Sequence, residues 1–166
     1  MSGPIPITKT ACQGFSIVNS GGENVAQEKV EEFFVSGASA LPYYPLMSAV
    51  SVKSTRSKRR GKVIAFDRMT SSDTALSAIL EVLHRVAEGS CVRIFTHSRL
   101  VSREFKQICA ARGRDLHDPY WRAQALLERK SLSVELRMVR RAQNPAREVL
   151  DEFKVALREA RRRKEW

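Results

Sequence analysis

The chain is poor in cysteine, has no long apolar run and has no glycine-rich loop, and each shortage removes a class of protein. Its three cysteines, Cys12, Cys91 and Cys109, show no C-x-x-C spacing. That argues against a disulfide scaffold or a zinc site and for a reducing, intracellular compartment. No apolar stretch reaches the ~18 residues of a membrane span. The opening "MSGPIPITKTACQG" lacks the basic start and apolar core of a secretory signal, so the expected address is cytoplasmic, nucleoid or nuclear. No phosphate-cradling glycine loop and no Ser/His/Asp or Cys/His set stands out.

What the chain does have is positive charge. Its 166 residues fit one domain, 1–166, with length enough for a real core. The formal charge is +11, and it is unevenly placed: residues 1–50 sum to −2, so the remainder holds +13. Arginine outnumbers lysine about two to one, and its planar fork suits phosphate. A field of this size favours a polyanion partner, most often nucleic acid.

Hydrophobic patterning orders the elements. Residues 13–19, "QGFSIVN", read as a first strand. Residues 24–36, "NVAQEKVEEFFVS", place Val25, Lys29, Val30, Phe33 and Phe34 at helical spacing, with Gly37 as a C-terminal cap. Residues 46–53 and 62–67 read as a hairpin around "STRSKRRG". Leu76, Ile79, Leu80, Leu83 and Val86 make a helical stripe behind the capping residues "TSSD". "CVRIFT" is a buried strand, 99–111 a second helix, and Tyr120 to Lys130 a third. Residues 132–139 alternate cleanly as a strand. Pro145 opens the clearest helical stripe in the chain, from Ala146 through Val149, Leu150, Phe153 and Leu157 to Ala160. The order predicts an α/β fold: a mixed five-stranded sheet with helices on both faces, plus a short helical insertion (residues 20–46) after the first strand.

That order, and the local sequence, resemble the ribonuclease H fold. "VRIFTHSRLV" resembles the family's fourth strand and the start of its next helix. "PYWRAQALLERKSLSVELRMVRRAQNPAREVLDEF" resembles its last helix–strand–helix portion, and "VIAFDRMTSSDTALSAIL" its third strand and following helix. The resemblance implies four carboxylates at the sheet's centre, holding two divalent metals that activate water against a phosphodiester. Carried over one position at a time, these seats fall at Asn19, Ala75, His97 and Glu148. Only Glu148 is a carboxylate. Mg²⁺ wants anionic oxygen, and a neutral imidazole suits softer metals. The resemblance therefore implies a degenerate site with no catalytic residues, no bound metal and no cofactor. Mg or Mn enters only under the alternative of a nuclease rebuilt from His97, Glu148 and Asp73. Asp73 reads more plainly as a helix N-cap, His84 as a surface residue, and His117 beside Asp118 as a loop pair.

Three basic groups are candidates for nucleic-acid contact. Lys53, Arg56, Lys58, Arg59, Arg60 and Lys62 crowd the hairpin tip, which like-charge repulsion should keep flexible. Arg137, Arg140, Arg141 and Arg147 surround the last strand and helix start, beside the family's catalytic face. The tail, 158–166, carries "REARRRKEW". Tyr120 and Trp121 resemble substrate-handling aromatics, with a core role for Trp121 as the alternative. The expected insertion offers Phe33 and Phe34 either to its own sheet or to a protein partner. The expectation is an inactive RNase H-like subunit of a nucleoprotein complex that binds RNA–DNA hybrid or double-stranded RNA by backbone contacts. The alternatives are the rebuilt nuclease and a protein-interaction scaffold.

Overall fold

In the computed structural model, residues 29–58, 61–99, 101 and 119–164 are described, with residues 72 and 119–121 described by backbone alone. The elements are β1 (Val30–Ala38), β2 (Met47–Ser54), β3 (Lys62–Asp67), α1 (Ser71–Arg85), β4 (Cys91–Thr96), α2 (Pro119–Arg129), β5 (Ser133–Met138), a 3₁₀ turn (Arg141–Gln143) and α3 (Pro145–Lys164). The strands form one sheet in the order β3-β2-β1-β4-β5. β1 and β2 pair antiparallel, as do β2 and β3, whereas β4 and β5 run parallel to β1.

The hairpin, α1, β4, α2, β5 and α3 lie where hydrophobic spacing placed them. The first strand does not. The stretch expected to be an inserted helix contains β1, which sits in the middle of the sheet. The proposed strand 13–19 lies outside the described residues, as does most of the helix expected at 99–111. Phe33 packs on the main core and Phe34 stacks on Phe95, with ring centroids 4.7 Å apart. Their supposed place on a docking helix is therefore replaced by a place within the sheet.

Successive residues of a strand point to opposite faces. Val35, Val50, Val52, Val92 and Ile94 join Leu76, Ile79 and Leu83 of α1 in the larger core. The opposite face carries Ala38 and Ala49, which pack with Leu150, Phe153 and Leu157 of α3. Helices thus cover both faces. Gly37 serves the first of these contacts. A Cβ there would lie 2.7 Å from Cγ2 of Thr74, so the absent side chain lets α1 approach β1 closely.

Polar contacts fix the helix ends. Thr70 is the N-cap of α1, and its Oγ1 accepts the Asp73 N–H at 3.2 Å. Asp73 is therefore in the first turn and not the cap residue expected. Buried Ser48 donates to the Ser39 carbonyl and accepts the Met69 N–H, both at 2.9 Å, which anchors the approach to that helix. At the other end the Lys130 ammonium donates to the carbonyls of Leu83, His84 and Val86. That cation is committed to the C-terminal end of α1, where the helix dipole favours it. No described helix is long and apolar enough to cross a membrane.

Candidate functional site

β1, β4 and β5 run parallel, and α/β sheets bind ligands beyond the carboxyl ends of such strands. A cavity of about 330 Å³ opens there, lined by Val35, Ser36 and Gly37 of β1, by Thr96, His97 and Ser98 at the end of β4, by Ser71, Ala75 and Ala78 of α1, and by Arg141. Two of the four expected seats, Ala75 and His97, meet in it. The β1 residue that joins them is Ser36. Asn19 lies outside the described residues; β1 runs from Val30, and Ser36 is the β1 hydroxyl residue at the cavity. Glu148 is exposed on α3 and is not among the lining residues. Asp73 does not line the cavity either.

Asn144 organises this region, a role the sequence reading missed. It is fully buried at the start of α3. Its Oδ1 accepts the Ala146 N–H at 3.0 Å, which identifies the other amide atom as the donor. Nδ2 donates to the Val35 carbonyl at 2.9 Å and meets His97 Nδ1 at 2.9 Å. Nδ1 must therefore accept, and the proton of the neutral ring resides on Nε2. An asparagine before a proline at a helix start was the available signal, since it pairs a preferred N-cap with a preferred first residue.

Burial, followed by the nearby charges of Arg141 and Arg147, holds His97 below its ordinary pKa of 6.5. Ser36 is 5% exposed, and its hydroxyl has no hydrogen-bond partner among the described residues. The Thr96 and Ser98 hydroxyls are already committed, accepting the N–H groups of Ser98 and Val101. The described lining thus presents hydroxyls, an imidazole and a guanidinium, but no carboxylate. No group of three or more His, Cys, Asp or Glu side chains among the described residues is arranged to hold a metal. This donor set does not fit a pair of hard dications.

The basic residues divide between two sides of the sheet, the β2–β3 hairpin and the region of β5 and the start of α3. Thr55 donates to the Glu32 carbonyl, and the Arg56 guanidinium donates to the Val30 carbonyl at 3.0 Å. These bonds pin the base of the hairpin tip to the start of β1, so at Arg56 the loop is less free than repulsion alone suggested. Lys53 is half-buried on β2, and Lys58 and Lys62 are exposed. Arg59 and Arg60 lie outside the described residues.

On the side of β5 and α3, Arg137 contacts Glu135 at 2.7 Å and Arg147 lies 3.4 Å from Asp151. Arg140 and Arg141 are exposed, with no ion pair among the described residues. Lys53 and Arg137 stand in one row across the sheet, Lys53–Phe34–Phe95–Arg137, so the clusters are separated sideways by three strand spacings, about 14 Å at ~4.8 Å each. The tail continues as helix to Lys164, with Arg161 lying 5.9 Å over the Tyr43 ring. His84 is exposed on α1, as expected, whereas His117, Asp118 and the side chains of Tyr120 and Trp121 are outside the description.

The chain is similar to the solved structure described as "Crystal structure of LC11-RNase H1 in complex with RNA/DNA hybrid". The TM-score is 0.53 and the identity 12%, over 69% of this chain and 88% of that one. No protein-family model and no curated protein matches. Strand order, mixed pairing and this likeness together define an RNase H-like fold.

Proposed function

We propose that this chain is an RNase H-like nucleic-acid-binding subunit without nuclease activity. It grips RNA–DNA hybrid or double-stranded RNA through the backbone, within a larger nucleoprotein complex. The observation that carries the reading is the substitution of the cavity's chemistry: where the resembled enzymes need carboxylates, this chain places Ser36, Ala75 and His97 beside Arg141. Such a site attracts a phosphodiester but has no anionic cradle for the metals that hydrolyse it.

Two further features support the reading. Basic clusters on two sides of one sheet, separated across its strands, suit a polymer that spans both and do not suit a small anion. A basic field that contacts phosphates reads groove shape and charge more than base sequence. The hybrid in the similar structure is of the same ligand class. The rebuilt nuclease finds less support, since neither Glu148 nor Asp73 lines the cavity.

Binding of a labelled hybrid across a salt series tests the proposal. The expected result is affinity that falls steeply and log-linearly with salt. A flat profile would sink the electrostatic account. Retention of a protein partner after nuclease treatment, without hybrid binding, would favour the scaffold alternative.

A further inference from the structure

We propose that the cavity bounded by Ser36, His97 and Arg141 is a phosphate pocket, taking one phosphate group of a nucleic-acid strand where the resembled enzymes hold metal ions. This inference rests on the nucleic-acid reading above and gives it a specific contact.

The argument is an inventory of donors. Arg141 lies at the cavity wall with no ion pair among the described residues, and its fork matches phosphate oxygens. Ser36 contributes a hydroxyl on a residue 95% buried, counting from its 5% exposure, with no hydrogen-bond partner among the described residues. Its Oγ keeps access to the surface at the cavity, so it can donate to a ligand oxygen there. His97 has Nδ1 occupied by Asn144, so Nε2–H is the ring edge left for a ligand. Ser71, in the first turn of the 15-residue α1, closes the wall from the helix's positive end.

All of these groups donate, and no described lining residue is acidic. The complement is an anion with several acceptor oxygens held from different sides. A phosphate's tetrahedral oxygens suit donors carried on several walls, here β1, the end of β4, α1 and the 3₁₀ turn. A planar carboxylate from an acidic peptide satisfies the arginine fork and leaves Ser36 or His97 unmet. The volume, about 330 Å³, is near the small end of ligand sites and accommodates a phosphate with part of its sugar.

The experiment has two arms on the full chain. In the first, inorganic phosphate is titrated at constant ionic strength while backbone amide and His97 ring resonances are followed. Saturable shifts should centre on Ser36, Gly37 and His97, and Ser36→Asp should abolish them by placing a negative charge against the anion. Mn²⁺ should cause no selective broadening there. In the second arm, Arg141→Ala on its exposed turn should weaken hybrid binding about tenfold and lower the salt slope by about one.

Absent phosphate shifts, Mn²⁺ broadening centred on the cavity, or a glutamate-rich peptide that shifts His97 where phosphate does not would each overturn the pocket. Phosphate shifts without hybrid binding would remove the functional reading and leave the pocket standing. Hybrid binding with an unchanged salt slope in Arg141→Ala, and no phosphate shift, would do the reverse.

Discussion

The amide nitrogen of Asn144 lies 2.9 Å from Nδ1 of His97 and donates as well to the carbonyl of Val35. One buried side chain therefore ties the start of α3 to the central strand and to the end of β4. It also decides which ring edge of His97 is left for a ligand. Asn144→Ala removes the cap of Ala146 and strands a buried backbone N–H. The expected loss is roughly 2–4 kcal/mol of unfolding free energy. Asn144→Asp keeps the acceptor for Ala146 but loses both donors, and should recover only part. Urea unfolding with an unchanged m-value measures both.

The titration of His97 gives a second prediction. Burial and the two arginine charges lower its pKa in the folded chain, whereas the unfolded chain takes up a proton near 6.5. More protons are then bound unfolded than folded, so stability rises with pH across that window. Stability is complete above pH 6.5, falls as pH drops toward the lower folded pKa, and levels off below it. His97→Gln, which can keep an acceptor for Asn144, should flatten this limb. Unfolding free energies of the two proteins that run parallel from pH 7 to about 5 would contradict the assignment.

Gly37 should not tolerate a side chain. Thr74 is β-branched and sits in α1, so its methyl cannot swing clear of a new Cβ 2.7 Å away. Gly37→Ala should cost about 1–3 kcal/mol by overpacking. The double variant Gly37→Ala with Thr74→Ser should regain much of it, because the clashing methyl is gone. Thermal or urea unfolding of the pair decides whether strain or lost backbone freedom is responsible.

A row of charges crosses β1, β4 and β5. Arg93 lies 3.8 Å from Glu32 and 2.9 Å from Glu135, and Glu135 also takes Arg137 at 2.7 Å. Burial pushes the Glu135 carboxyl up, but its hydrogen bonds to Arg137 and Arg93 outweigh that and hold it below 4.5. Its contribution to stability is present above pH 4.5 and lost as pH falls through the lower folded value. Arg93→Ala should cost about 1–3 kcal/mol, less than a fully buried pair, because Glu135 loses a partner at a half-buried site. Arg137→Ala, at an exposed position, should cost about 0.5 kcal/mol or less. Equal losses at the two sites would contradict this division.

Most elements were legible because their patterns were regular. β5 alternates, α1 and α3 carry unbroken stripes, and the β2–β3 hairpin is bounded by a run of polar turn residues. β1 was misread for a physical reason. A central strand is apolar on both faces, so Phe33 and Phe34 stand side by side and, with Val30, mimic a helical repeat. Gly37 compounded the error by standing where a helix cap belongs, although its role is the close approach of Thr74. With the first strand expected at 13–19, the first-strand seat falls at Asn19, which lies outside the described residues. Ala75 and His97 come together at one cavity because α1 and β4 lie where the pattern placed them. The position of Glu148 outside the cavity is a tertiary fact that spacing alone does not carry.

The central claim is binding without hydrolysis, and one reaction mixture tests it. Doubly end-labelled RNA–DNA hybrid is incubated with the full chain and Mg²⁺ or Mn²⁺, and the bound fraction and strand lengths are read from the same sample. The account predicts a bound hybrid with both strands intact. Cleavage that disappears in Glu148→Ala would contradict it, because that carboxylate would then be reaching a metal that the described cavity has no means to hold.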